Sequence, residues 1–477
     1  MPRQTKDAPE ATHFALLDDI VDILVGGRLR PHAILDCITR KAAEALKDTT
    51  WRNLNGEQRE ALSRTTLLSV PLDELCRAHP RLTPESGWLS FDMAPAEQGS
   101  NAENTVTASY VSLSGTNEEN QLPRFTLSNI KPTSHPFRKL AFLTGLQARK
   151  QEILEVLDNA CDEGLDSSRN VVVYDIGQGS ATALVDWRGR PVIFFDLGWP
   201  TSFNARTRPA HPPALFDPEK CPICRETSRP PAPVILSHWD FDHWAYAIEN
   251  DRYDYTRNAA ILRFKPEAIN RPWILPKPPR IGNTKGLGPT HMRLLTELPN
   301  RLLWPTRLPS VSFSAGTVTR TDSKVDPCNR NNQGLAWFVR APDSTETLLL
   351  PGDASYDHIR LPTGGANITG LLASHHGGIA TGIATHLPVR SANSKLVISV
   401  GKNNIHRHPN RTVLTEYHRA GWSAPLLTET RLPVTATTFQ TGSVLMSLWH
   451  YPWPHFSGHC PCICTCVREA NLVPTQY

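Results

Sequence analysis

The chain has 477 residues, too many for one ordinary hydrophobic core, so a large catalytic domain with a smaller companion is expected. Its composition is that of a globular protein rich in proline, and no run of about 18 apolar residues marks a membrane-spanning helix. The formal charge of +4 (50 Lys and Arg against 46 Asp and Glu) is too small to imply a nucleic-acid partner by itself. The opening MPRQTKDAPEATH lacks the charged-then-apolar order of a signal peptide, so cytoplasm is the expected compartment, with no membrane partner.

Residues 1–92 read as a helical N-terminal region. FALLDDIVDILVGG carries apolar residues at helical spacing and ends on a Gly pair, and Leu35–Leu46 and Glu57–Leu68 offer further amphipathic turns. Residues 93–136 turn polar, rich in Ser, Thr, Asn and Gln, and read as a linker or insertion. A further helix is expected from Phe137 to Cys161. From Asn170 the character changes: VVVYDIG, SATALVD, VIFFDLG and VILSH, then LAWFVR, TLLLPGD, GLLASHH and KLVISVG, are short strands ending in polar residues. Residues 137–450 are therefore read as one α/β domain, with chemistry at the strand ends.

Within it, residues 252–307 form a basic, Pro- and aromatic-rich insert, with eleven Lys or Arg against Asp254, Glu267 and Glu297. Phe264, Trp273 and Trp304 are interleaved with these charges, a mixture that could track a phosphate backbone and stack bases. The plainer reading is a surface connection whose aromatics pack inward. Residues 451–477 are a Cys-rich tail. Cys37, Cys76, Cys161 and Cys328 stand alone and read as simple thiols. Cys221 and Cys224 form a C-x-x-C; with two of Cys460, Cys462, Cys464 and Cys466 they could hold a structural zinc, the alternative being an oxidisable tail.

The densest chemical signal is His238-Trp239-Asp240-Phe241-Asp242-His243, four potential ligands in six residues directly after an apolar strand. Imidazole and carboxylate suit Zn²⁺, Mn²⁺ or Fe²⁺, and the tight spacing lets one loop serve two ions. Asp353 in LLLPGDAS and His375 and His376 in LLASHHGG repeat the strand-then-ligand arrangement.

The ordered series YDIGQGSATALV, VIFFDLG, LSHWDFDHW, LLLPGDAS, LLASHHGG and LVISVGKNNIHRHP resembles the metallo-β-lactamase superfamily. Within it the series is most similar to the soluble domain of ComEC-type DNA-uptake proteins and their stand-alone relatives. The resemblance spans residues 170 to 440. It implies an αβ/βα metallo-β-lactamase sandwich, here with a helical N-terminal domain, and two divalent ions, Zn or Mn. By the family pattern His238 and Asp240 would hold one metal, Asp242 and His243 the other, and Asp353 would bridge. One of His375 and His376, preferably His375, would be the last ligand, and Asp196 would support the loop from outside the metal shell. The superfamily's usual first motif is His-x-His-x-Asp-His, and Asp240 stands where the second His would be, a substitution shared with ComEC-type domains. Many members carry another His before the Gly-Asp; here Asn331 and Asn332 stand near that place, which tilts preference slightly toward manganese. His406 and His408 fall where a family His approaches the site; either could contact phosphate or protonate a leaving group, or be a plain surface residue.

The expected activity is hydrolysis by a metal-bridging hydroxide positioned by Asp353, with Asp242 and His408 assisting. A phosphodiester, and so a nuclease acting on nucleic acid, is the first choice, because two metals neutralise phosphoryl charge. The alternatives are a small ester, lactam or nucleotide substrate, or a hydrolase-fold subunit that docks a protein partner through its N-terminal region.

Overall fold

The computed structural model describes residues 11–448, apart from residues 26, 81–86, 97–104, 116–121, 142, 144–145, 165–168, 187–188, 217–230, 280–285, 322–329, 342–343, 363–366, 388–394, 423 and 434–439. The cysteines of the proposed zinc site, Cys221, Cys224, Cys460, Cys462, Cys464 and Cys466, lie outside the described residues, as does Cys328. Cys37 and Cys161 are buried thiols and Cys76 is partly exposed.

The N-terminal region is not helical. Strands β1 (Ala11–Val25), β2 (Arg28–Thr39), β3 (Thr65–Pro71), β4 (Trp88–Pro95), β5 (Val106–Tyr110) and β6 (Arg124–Thr133) close a barrel in the order β1-β2-β3-β5-β6-β4. This overturns the expected αβ/βα sandwich with a helical N-terminal domain: among the described residues strand outweighs helix, 37% against 25%. Among the described residues up to 92 the helices are short, the longest seven residues.

The physical reason lies in β1. Ala15 and Leu17 point into the barrel, whose core also takes Leu35, Leu68, Phe91, Ala108 and Phe125. Leu16 faces outward onto a second apolar cluster, and so do Val21 and Ile23. The outward residues change from even to odd because a bulge inserts Asp18 between the pairs Leu17–Leu35 and Asp19–Ile34. A strand buried on both faces and shifted in phase midway presents apolar residues three and four apart, which imitates a helix.

The expected polar linker supplies two of the six barrel strands, β5 and β6, and the end of β4. In β6 only Phe125 and Leu127 are buried and point into the barrel core, so its sequence looks polar while its backbone pairs with both β4 and β5.

Beyond the barrel lie two seven-stranded sheets. The first contains β7 (Asn170–Val173), β8 (Ala181–Val185), β9 (Pro191–Leu197) and β10 (Val234–Ile235). Past the hairpin of β11 (Ile248–Asp254) and β12 (Ala259–Phe264), it continues through β13 (Trp273–Leu275) and β14 (Arg301–Leu303). The second sheet contains β15 (Ser310–Phe313), β16 (Gly316–Arg320), β17 (Leu335–Arg340), β18 (Glu346–Leu350), β19 (Asn367–Leu372), β20 (Lys395–Ile398) and β21 (Leu426–Leu427). After the short pair β22 (Leu432–Pro433) and β23 (Gln440–Thr441), β24 (Val444–Ser447) returns to the first sheet beside β7.

Alternation assigns the faces. Val171, Val173, Ile193, Phe195 and Ile235 of the first sheet meet Trp337, Val339, Leu348, Leu350 and Val397 of the second in one cluster. The intervening Val172, Ala183, Phe194 and Val234 pack toward the barrel side. On the second sheet Ala336, Phe338, Leu349 and Leu396 face Val413 and Tyr417 of the helix Arg411–Arg419. Truncating one of the fully buried leucines to Ala costs about 2–5 kcal/mol.

The segment 252–307 belongs to this framework. Phe264, Trp273 and Trp304 are all buried, and β13 and β14 are strands of the first sheet. Arg271 and Arg293 are buried too, with Nη1 atoms donating to the carbonyls of Ala232 and Ala260. The aromatics expected to stack bases are core. The expected helix at 137–161 is two pieces, Arg138–Ala141 and Lys150–Gly164. Among the described residues, no helix is long and apolar enough to cross a membrane.

Buried carboxylates tie the barrel to the sheets. Asp36 of β2 accepts from the backbone N–H and the hydroxyl of Thr290 at the start of the helix Pro289–Glu297. Asp251 of β11 accepts from the Tyr110 and Ser114 hydroxyls, from Ser112 Oγ at 2.7 Å and from the N–H groups of Leu113 and Ser114.

Candidate metal centre

The chemistry-bearing side chains gather where strands of both sheets end. Asp196 lies near the end of β9, residues 237–243 follow β10, Asp353 follows β18, and His375 and His376 follow β19. β9 and β10 run parallel, as do β18, β19 and β20, so these C-terminal ends open to one side, where α/β proteins bind ligands.

Three imidazoles are anchored through Nδ1. His243 donates to Asp196 Oδ2 at 2.8 Å, His238 to Ser237 Oγ at 3.0 Å, and His376 to the Ser399 carbonyl at 2.9 Å. Asp196 also accepts from Ser237 N and Ser237 Oγ, at 2.7 and 2.8 Å. In the neutral rings these bonds favour the proton on Nδ1, and the Nε2 atoms point inward. All three Nε2 atoms are buried without a hydrogen-bond partner.

They converge on two carboxylates. His243 Nε2 is 3.3 Å from Asp353 Oδ1, and His238 Nε2 is 3.7 Å from Asp353 Oδ2. His376 Nε2 is 3.3 Å from Asp242 Oδ2 and 4.0 Å from Asp353 Oδ1. Two groups can each hold an ion, His238–His243–Asp353 and Asp242–His243–His376, with His243 shared. Orphaned imidazole nitrogens beside carboxylates are the donor set a divalent cation satisfies, so the residues fit a metal.

The arrangement differs from the expected ligand set at two places. His376, not the preferred His375, enters the buried group; His375 is a third exposed, its Nε2 3.8 Å from Asp353 Oδ2. Asp240 lies outside both groups. Its Oδ2 is 3.3 Å from His238 Nε2, while Oδ1 is ion-paired at 2.7 Å to Arg330 Nε.

Tight backbone geometry makes this approach possible. Asp196, His375 and His376 are non-glycine residues at φ of 66°, 50° and 53°, the left-handed region where strain accumulates at functional loops. Gly352, at φ 60°, lets the Asp353 loop pass Ser237, whose Cβ would lie 2.6 Å from any Cβ there.

Electrostatics follow from the same contacts. Burial pushes the Asp353 carboxyl up, but His243, His376, His238 and His375 outweigh it and hold the group well below the ordinary carboxylate range. Asp242 is likewise raised by burial and lowered further by His243 and His376, to about 2. Burial lowers His243, but Asp353, Asp196 and Asp242 raise it well above the usual histidine value. Both carboxylates are thus anionic at neutral pH.

His408 stands at the rim, its ring 5.1 Å from that of His375 and its Nδ1 3.5 Å from Gln178 Nε2. Burial and the imidazoles of His375, His376 and His406 lower it to about 2, so at neutral pH it is uncharged and a weak base. His406 is exposed, with Nε2 3.2 Å from Asn204 Nδ2. Asn332 spends its side chain on the loop after Asp353, accepting from Ser355 N at 2.9 Å, and Asn331 is half-buried beside it.

Three residues of the site drew no attention in the sequence. Ser237 directly precedes the ligand run, which is a usable signal for a supporting hydroxyl. Arg330 hides in a polar loop, and Asp18, whose Oδ1 is 2.9 Å from Arg330 Nη1, is 220 residues before His238, so neither carries a local signal. The chain matches no protein-family profile, no curated protein and no solved structure.

Proposed function

We propose that the chain is a metal-dependent hydrolase, with phosphodiesters as its first substrate class. The observation that carries this reading is the convergence of three buried, Nδ1-anchored imidazoles on Asp353 and Asp242 with their Nε2 atoms unpartnered. The ordered motifs resembling the metallo-β-lactamase superfamily support it. Divalent ions would be held by His238, His243 and Asp353 and by Asp242, His243 and His376, and would supply Lewis acidity and an activated water at neutral pH. The chain's own residues orient and shield: Asp196, Ser237 and Ser399 fix the rings, the anionic Asp353 and Asp242 face the reacting centre, and uncharged His408 stands at the rim within reach of a substrate.

The test is cleavage of labelled DNA and RNA by wild type and Asp353→Ala, after chelation and with Zn²⁺ or Mn²⁺ added back. Metal-restored cleavage that is absent in the variant supports the reading. Cleavage that survives exhaustive chelation sinks it.

A second substrate class has its own observation. A shallow cleft beside Asp240 and Asp242 has Val21, Ile34, Phe203 and Phe241 on its wall together with Asp18, Asp19 and Arg330, a mixed apolar and charged lining that a small ester, lactam or nucleotide could use. Salt separates the two. Nucleic-acid cleavage weakens steeply with ionic strength, whereas small-molecule turnover does not.

A further inference from the structure

Arg330 sits where the barrel meets the metal centre. Its Nε is 2.7 Å from Asp240 Oδ1, its Nη1 is 2.9 Å from Asp18 Oδ1 and donates to the Asp18 carbonyl at 3.2 Å, and its Nη2 is 3.7 Å from Asp19 Oδ2. A guanidinium is a planar fork that ordinarily takes both oxygens of one carboxylate in parallel. Here it does not. One edge is committed to the barrel, and Asp240 keeps Oδ2 turned toward His238 Nε2 at 3.3 Å.

The barrel residue that commits it is the extra residue of the β1 bulge. Asp18 has no partner across the ladder, so its carboxylate is released from the strand pairing and reaches Arg330 nearly buried, with a side chain 5% exposed. Asp19 is half exposed and farther away, and is the weaker hold.

We propose that Asp18 positions Arg330 so that it engages Asp240 through one oxygen only, leaving Oδ2 for a divalent cation beside His238; the N-terminal barrel thereby completes the metal centre. The inference rests on the metal-dependent reading above. Asp18 and Arg330 are positioning residues, acting through Asp240. Without Asp18 the fork is free to turn onto both Asp240 oxygens, and a cation must then compete with a bidentate ion pair. The relation is one of restraint, so its loss is repaired by removing the restrained group.

The test is calorimetric titration of Mn²⁺ into chelator-treated full-length protein, for wild type, Asp18→Asn, Arg330→Gln and the double variant. Asp18→Asn is expected to bind Mn²⁺ about tenfold more weakly. The double variant is expected to return to within about threefold of Arg330→Gln alone, a non-additivity that general loosening of the fold would not produce. Wild-type affinity in Asp18→Asn overturns the proposal, and so does a double variant as weak as Asp18→Asn. If Asp18→Asn does not fold, the comparison of the double variant with Arg330→Gln decides alone: a further loss from changing Asp18 once Arg330 is gone overturns the proposal. Wild-type protein that binds no Mn²⁺ would instead remove the metal-dependent reading itself, an outcome distinct from wild-type binding that is indifferent to Asp18.

Discussion

Asp196 Oδ2 lies 2.8 Å from His243 Nδ1, and this contact turns the one imidazole shared by both candidate ion groups toward Asp353. Asp196 binds no ion itself in this arrangement. It sets the tautomer of the residue that belongs to both candidate ion groups, and it holds Ser237 with the same two oxygens.

Asp196→Asn keeps the size of the side chain but removes the charge that supports His243. Zn²⁺ or Mn²⁺ affinity is expected to fall about 10- to 100-fold, as is usual when a partner behind a metal-bound histidine is changed. Metal retained after dialysis, measured by elemental analysis, reads the effect. Wild-type retention would show that Asp196 has no such role.

Metal removal gives a second expectation. Ions that bind only the folded chain stabilise it by about 2.7 kcal/mol at a hundredfold excess over Kd. The melting temperature should therefore drop on chelation and recover when Mn²⁺ or Zn²⁺ is restored. A melting temperature indifferent to both treatments contradicts a folded-state metal site.

The pH response of His291 supplies a third. It is packed among Trp239, Phe241 and Trp244, and burial lowers it from 6.5 to about 4. Between those values the unfolded chain binds the proton and the folded chain does not, so stability falls as pH drops from 6.5 toward 4. The contribution is of order 3 kcal/mol over that window. His291→Phe removes it, and chemical denaturation at several pH values should show a flatter acid limb for the variant. Parallel curves would refute the assignment.

Asp251→Ala should be among the most damaging changes distant from the ion groups. It strands two N–H groups and three hydroxyls that Asp251 now satisfies between β11 and the end of β5. Leaving several buried donors unpaired costs upward of about 3 kcal/mol. Urea denaturation measures it; a loss under 1 kcal/mol would mean the barrel is not held there.

Much of the ligand set could be read from sequence, because the run at 238–243, Asp353 and His376 each follow an apolar strand at short range. What could not be read was non-local. The choice between His375 and His376 depends on two consecutive left-handed residues and on the Ser399 carbonyl, which nothing in LLASHHGG announces. The barrel was obscured by burial on both faces of β1 and by the polar exterior of β6. The basic segment at 252–307 misled in the opposite sense, since Trp273 and Trp304 looked available to a partner and are sheet core.

The bulge at Asp18 also makes the length of β1 a quantity under constraint, separate from its composition. A substitution at Asp18 alters one contact. Deleting the residue would close the bulge with Asp19 still opposite Ile34 and Val21 still opposite His32, so Val21 and Ile23 would keep the face they now fill. One extra residue between Asp19 and Val21 would instead turn both apolar side chains to the opposite face, so an added codon in this hairpin should be more harmful than the loss of Asp18.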